Sequence, residues 1–290
     1  MTTIAVRYAL PDRALFDFVP VYLEVDVASD EALDLLPPDM PSLQFSITGE
    51  WRIGATPTTL GAALETSGLR GTSSKAQWIS GAGIGFCIGL NPLVWPGLFG
   101  KRAVDLHDRV VPIAGYLGPN WSELVRAVCA AADFTGRVAA ANAFLVNVPK
   151  PVLRETLQSR LMAIRLALAD PDCGSVGELA ERAGISTRQL ERVCANCFGF
   201  PPKTLIRRER FRRMLHRADA MSYRQWRDFV DLQYVDQSHM IRDFKYFMGM
   251  PPSQYFALDR PIVSAAFQSF WTMLGIKPDR VFWAREVEVA

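Results

Sequence analysis

From Ser186 to Asn196 the chain reads Ser-Thr-Arg-Gln-Leu-Glu-Arg-Val-Cys-Ala-Asn. Arg188 and Arg192 are four residues apart, so on a helix they share a face. A guanidinium on such a face offers a rigid fork of donors that fits the O6 and N7 edge of guanine, and the Gln189 amide fits the N6 and N7 edge of adenine. Ser186, Thr187 and Asn196 add shorter polar groups around them. A second set further along combines similar chemistry: Gln237, Ser238, His239, Arg242 and Lys245. Side chains at base edges discriminate between sequences, while contacts to phosphates fix register. Each arginine has a plainer alternative, a phosphate contact or a salt bridge to Glu191 or Asp243. For His239 the alternative is a packed polar residue near a helix start.

The surrounding residues supply the elements that such groups need. Ser175-Val176-Gly177-Glu178 is a capping box, in which the serine hydroxyl caps the helix start and Glu178 reaches back. Leu179, Ala180 and Ala183 face a core. Gly184 relieves the left-handed strain of a tight turn, and Ser186 caps the next helix, whose inner face is Leu190, Val193, Cys194 and Cys197. In the second unit Asp236 is the cap, and Met240, Ile241 and Phe244 form the apolar face. The units close on the same punctuation, CFGFPP at 197–202 and FMGMPP at 247–252, so two helix-turn-helix units stand in tandem. The connector LIRRERFRRMLHRA at 205–218 carries Arg207, Arg208, Arg210, Arg212, Arg213 and Arg217. Its outer arginines, Arg208 and Arg212 among them, are expected to neutralise phosphates; the alternative is a solvated helix face.

Upstream, the pattern changes. VPVYLEVDV at 19–27 alternates as a strand does, SLQFSITGEWRIG at 42–54 holds two short strand-like runs, and QWISGAGIGFCIGL at 77–90 reads as a strand pair or a bulged strand. Helices follow: one from Trp121 with Leu124, Val125, Val128 and Cys129 inward, one over 137–147, and one with Leu153, Leu157, Leu161, Ile164 and Leu168 at helical spacing. The expected fold class is α+β in two domains. Residues 1–150 form a β-rich, barrel or cupin-like domain with two C-terminal helices. Residues 151–260 form an all-α tandem helix-turn-helix domain, joined through VPKP at 148–151. Residues 261–290, with Phe267, Phe270, Trp271 and Leu274, form a tail that packs back onto the protein.

Charge is unevenly spread. Residues 1–151 hold 11 Lys+Arg and 14 Asp+Glu, a net of −3, whereas 152–260 hold 18 and 13, a net of +5. The basic half is the one that would face phosphates. The uncharged run 76–100 is interrupted by six glycines and two prolines, which favours buried strands and turns over a membrane span. The N-terminus lacks the pattern of a signal peptide, and five cysteines without dense spacing fit a reduced, cytoplasmic protein.

Sites for catalysis, metal or cofactor are not expected. Cys194-Ala-Asn-Cys197 has no further ligands at zinc-site spacing and falls on an apolar helix face. The three histidines are far apart, and Gly81-Ala-Gly-Ile-Gly-Phe lacks the lysine of a phosphate loop.

The segment LAERAGISTRQLERVCANCFGFPPKTLIRRERFRRML, with DQSHMIRDFKYFMGMPPSQY after it, resembles the DNA-binding domain of the AraC/XylS family of bacterial transcription regulators. The resemblance covers 152–258. It implies about seven helices and two recognition helices, at 187–198 and 237–247, in successive major grooves of double-stranded DNA. More weakly, LPPDMPSLQFSI at 36–47, GLRGTS at 68–73 and IGLNPLVWPGLFG at 88–100 resemble the β-rich domain that precedes it in one branch of the family. Such domains sense a small molecule, dimerise, or both. The resemblance thus implies a non-enzymatic, sequence-specific regulator, a homodimer controlled by a small-molecule effector and able to contact RNA polymerase. The alternatives are an N-terminal domain that only oligomerises, or an enzyme fused to a DNA-binding domain. The sequence departs from the family in the second unit, where Phe229-Val230 and Gln233 replace the small residue and glycine, and in the tail beyond 260.

Overall fold

The computed structural model describes residues 3–61, 66–149, 155–220, 234 and 236–273. The departures at Phe229-Val230 and Gln233, the linker residues 150–151, Leu153 and the tail from Leu274 onward lie outside the described residues.

Among the described residues seven strands form one antiparallel sheet: β1 (Ile4–Ala9), β2 (Tyr22–Leu36), β3 (Ser42–Ser46), β4 (Trp51–Gly54), β5 (Ser67–Arg70), β6 (Gln77–Gly89) and β7 (Val110–Val111). Their order is β1-β2-β6-β3-β5-β7, and β4 also pairs with β6. The segment expected as a strand pair or bulged strand is a single long strand, β6. β2 runs along one of its edges; on the other, β3 pairs with residues 85–89 and β4 with 78–81. The register shifts between Val27 and Ala32 of β2, opposite Gly83 of β6, which is itself left-handed at φ +83°.

The sheet is open, which corrects the barrel expectation. Among the described residues β1 and β7 end the strand order and do not pair with each other. β7 is only two residues long, so closure lacks the strand length it needs. The run 76–100 forms β6 and a buried turn around Trp95–Phe99. Among the described residues no helix is long and apolar enough to cross a membrane.

Period-two alternation gives the sheet two different faces. Phe86 and Ile88 of β6, Leu43 of β3 and Tyr22 of β2 point into the main core. That core continues into α1 (Ile113–Leu117), α2 (Trp121–Ala130) and α3 (Phe134–Asn147). The inward face expected from Trp121 is present: Trp121, Leu124 and Val128 are buried, and Val125 and Cys129 pack beside them. Glu24, fully buried on β2, is held by Arg137 of α3 at 2.7 Å and by Arg7 of β1 at 2.7 Å. This ties the sheet to its helical cover.

The helical region comprises α4 (Glu155–Ala169), α5 (Val176–Arg182), α6 (Thr187–Cys197), α7 (Pro202–Ala220), α8 (Gln237–Met248), α9 (Pro252–Tyr255) and α10 (Pro261–Met273). The main core runs on through Leu161 and Ile164 of α4, Leu179 of α5, Leu190 of α6 and Leu205 of α7. A second core gathers Phe211 and Leu215 of α7 with Phe244 and Phe247 of α8, and takes in Leu35 of β2. α10 packs on β1 and β2. Its first amides, of Ile262 and Val263, both donate to Asp34 Oδ2 at 2.8 Å, and Ile262 sits among Val25, Val27 and Trp51.

Candidate nucleic-acid interface

α5 and α6 are set by local chemistry. Ser175 Oγ accepts from the Glu178 amide at 3.2 Å, while the Glu178 carboxylate accepts from the amides of Gly174 and Ser175. Those two backbone bonds hold its carboxyl below the usual range. Gly184 turns the chain with φ +62°, a conformation in which a side chain would strain the backbone. Ser186 and Gln189 then form a second reciprocal box: the Gln189 amide donates to Ser186 Oγ at 3.3 Å, and Gln189 Oε1 accepts from the Ser186 amide at 3.1 Å.

Leu190, Cys194 and Cys197 are buried on the inner face of α6. Burial pushes both thiols up to about 12, so they are packed, protonated groups. On the outer face Thr187, Arg188, Glu191 and Arg192 are exposed and Asn196 is half-buried. Among the described residues no carboxylate pairs with Arg188 or Arg192. The two guanidiniums, one turn apart, are therefore available to an external anion or base edge. Ser186 and Gln189 are already engaged with each other, so an adenine contact by Gln189 would compete with its cap.

α8 is organised differently. Asp236 caps it by accepting from the His239 amide at 2.7 Å. Gln237, Ser238, Arg242 and Lys245 are exposed. His239 is half-buried: its Nε2 lies 3.1 Å from Arg210 Nη2 and its ring meets Tyr234 edge-on at 5.2 Å. The structure places it as a packed polar group. Asp243 points inward and is fully buried, held by Arg207 at 2.6 Å and Arg210 at 3.1 Å. Arg207 also stacks on Tyr246, 4.2 Å from the ring centre.

The connector arginines depart furthest from expectation. Arg208 is 1% exposed, paired to Glu209 at 3.0 Å, with its Nη2 4.0 Å from Met40 Sδ. Arg212 pairs with Glu209 at 3.1 Å and with Asp39 at 3.6 Å. Arg213 is buried and donates to the Leu168 carbonyl at 2.5 Å. Arg208 and Arg212 thus face the sheet, where a phosphate-contacting pair would have to face outward. The reason is that α7 lies between two layers and has little outer face, which its own sequence cannot reveal.

The structure also brings together residues that the sequence did not flag. A cavity of about 690 Å³ opens between the second face of the sheet, α4, α7 and α10. Its walls include α4, α7 and α10 as well as the sheet, so it is not formed by residues 1–150 alone. Gln44, Trp51 and Cys87 contribute from the sheet, Arg165 from α4, and Arg208, Glu209 and Arg212 from α7. Burial opposes ionisation of Glu209, but Arg212 and Arg208 hold its carboxyl down to about 2. Burial, with Arg212 assisting, pushes His216 down to about 4, and burial pushes the Cys87 thiol up to about 11. The sequence signal nearest this site was LPPDMPSLQFSI, which contains Asp39, Met40 and Gln44.

Residues 179–257 match the family described as helix-turn-helix domain. No curated protein matches the chain in sequence. Among solved structures, ToxT from Vibrio cholerae O395 is 11% identical with a TM-score of 0.42, covering 88% of this chain and 96% of that one. A second crystal form of ToxT from Vibrio cholerae is 10% identical with a TM-score of 0.45, covering 88% and 97%. The AraC-like transcriptional activator CuxR is 14% identical with a TM-score of 0.30, covering 72% and 85%.

Proposed function

From an AraC-type helix-turn-helix domain over residues 179–257, we propose that this protein is a sequence-specific regulator of transcription whose grip on double-stranded DNA is set by a small molecule held in the cavity. The reading rests on one observation above all. α6 buries Leu190, Cys194 and Cys197 and leaves Thr187, Arg188 and Arg192 on an outer face. Arg188 and Arg192 are assigned to base edges, with Thr187 and Asn196 beside them. Ser186 and Gln189 hold the helix start. On α8 the reading group is Gln237, Ser238, Arg242 and Lys245, and His239 supports it from behind.

The cavity favours sensing over oligomerisation alone, since an N-terminal domain that only pairs copies needs no such volume; ligand pockets commonly run from about 300 to 1,000 Å³. The cavity wall includes α7, the helix that joins the two units. A ligand there touches the element that sets their relative placement. Selection of binding sites from random duplexes tests the reading. Two short half-sites with centres about one helical turn apart are expected. Recovery of no preferred sequence, with the purified chain folded, would overturn it.

A further inference from the structure

The walls of the cavity specify the chemistry of what fills it. Four arginines, Arg70, Arg165, Arg208 and Arg212, line it against two carboxylates, Asp39 and Glu209. Glu209 is shared between Arg208 at 3.0 Å and Arg212 at 3.1 Å, and Asp39 between Arg212 at 3.6 Å and Arg70 at 3.9 Å. Positive charge is left over. Arg208 is 1% exposed, and its Nη1 is buried with no hydrogen-bond partner among the described residues. Arg165 makes no ion pair among the described residues, and the charge of Asp17 reaches it only as a field. A buried cation without full compensation is costly, and an anion supplied from outside relieves the cost.

The sheet wall carries a second, uncharged pole. Gln44 Oε1 and Trp51 Nε1 are both buried without a partner among the described residues, and both residues line the cavity. Strand register brings them together. Gln44 sits opposite Cys87 on β6. The Trp51 ring lies over Gly81 and Gly85, with Cε2, the atom bonded to Nε1, 3.0 Å from where a Cβ on Gly85 would stand. Gly85 and Cys87 are two residues apart on one strand, so they share a face. One orphan is an acceptor and the other a donor, and a single hydroxyl satisfies both because it donates one hydrogen bond and accepts others. The lining also includes apolar side chains, Leu23 and Val25 of β2 and Ile262, Ala266 and Phe270 of α10.

We propose that the cavity binds an amphipathic organic acid bearing one hydroxyl, its acid group against Arg165 and Arg208 and its hydroxyl between Gln44 and Trp51. This rests on the ligand-controlled reading above and names the class of ligand.

The test titrates the full-length protein by calorimetry with 8-(4-hydroxyphenyl)octanoate, 8-phenyloctanoate and 8-phenyloctanol. The hydroxylated acid is expected to bind at least tenfold more tightly than the plain acid, and the plain acid at least tenfold more tightly than the alcohol. Trp51→Phe keeps the ring in place and removes the indole donor; it is expected to erase the hydroxyl preference and leave binding of 8-phenyloctanoate unchanged. Arg165→Met, at a half-buried and unpaired position, is expected to shrink the preference for acid over alcohol, with Arg208→Met as a second variant where folding is retained. Equal binding of all three compounds, preferences untouched by these variants, or no binding at all would overturn the proposal. DNA affinity measured with and without the hydroxylated acid separates the two readings. Tight, variant-sensitive binding that leaves DNA affinity unchanged sinks ligand control and leaves the site chemistry standing.

Discussion

Asp39, in the loop after β2, and Arg212, in α7, stand 3.6 Å apart, and the same carboxylate lies 3.9 Å from Arg70 of β5. The pair joins the sheet to α7, the helix between α6 and α8. It also removes Arg212 from the set of groups available to phosphate. Arg212→Ala is therefore expected to leave the salt dependence of DNA binding unchanged while lowering thermal stability. A log–log slope shallower by about 0.9 would instead mark the loss of a phosphate contact.

Asp243 is the anchor of α8. It is fully buried between Arg207 and Arg210 of α7, so its removal leaves two cations facing each other. Loss of one partner of a buried ion pair costs about 3–5 kcal/mol; the arginines are partly solvated, so Asp243→Ala is expected to cost about 2–3 kcal/mol in denaturant unfolding. A change below about 0.5 kcal/mol would show that α8 is held by its apolar face alone.

Acid is expected to loosen the α7 junction in two stages. His216 has a folded-state value near 4, below its unfolded 6.5, so the unfolded chain takes up the proton first and stability falls as pH drops from about 6.5 toward 4. The Glu209 value near 2 lies below its unfolded 4.5, so its contribution, complete above about 5, is lost as pH falls from 4.5 toward 2. Arg212, Asp39 and Glu209 act on the His216 ring, and Phe267 of α10 packs on it at 5.0 Å. Melting temperatures of wild type and His216→Gln from pH 8 to 4 check this. The variant is expected to flatten the decline between 6.5 and 4; parallel curves would contradict the assignment.

α10 depends on one carboxylate. Asp34 accepts from the amides of Ile262 and Val263 and is fully buried. Burial raises its carboxyl above the usual range despite those bonds. Asp34→Ala is expected to cost about 1–2 kcal/mol, the scale of a lost helix cap with its dipole. Hydrogen exchange should accelerate through residues 262–266 and stay unchanged in α5 and α6. Uniform acceleration would indicate global destabilisation in place of local release of α10.

What the sequence disclosed was what local rules determine. The Ser175–Glu178 capping box, the Ser186 cap, the glycine turn and the buried faces of α2 and α6 depend on neighbours within a turn of helix, and each is found where its spacing indicates; that Gln189 closes a second box on Ser186 was not read from the sequence. Long-range pairing was not legible. Closure of a barrel depends on whether β1 meets β7, which no strand pattern states. The arginines of α7 were expected to face outward because a helical repeat shows that two faces differ without showing that both are covered. The cavity left almost no trace, since Gln44, Trp51, Arg165 and Arg208 come from four separate segments; the register of β6 brings the first two together and helix packing supplies the others.

The most direct measurement is binding-site selection from random duplexes with the wild type and with Arg192→Ala, compared base by base. The account predicts that wild type selects two half-sites about one turn apart, and that the variant loses preference at particular positions of one half-site, by about 1–3 kcal/mol each, while the other half-site is kept. Equal weakening on every sequence, with no position relaxed, would contradict the claim that the outer face of α6 reads bases.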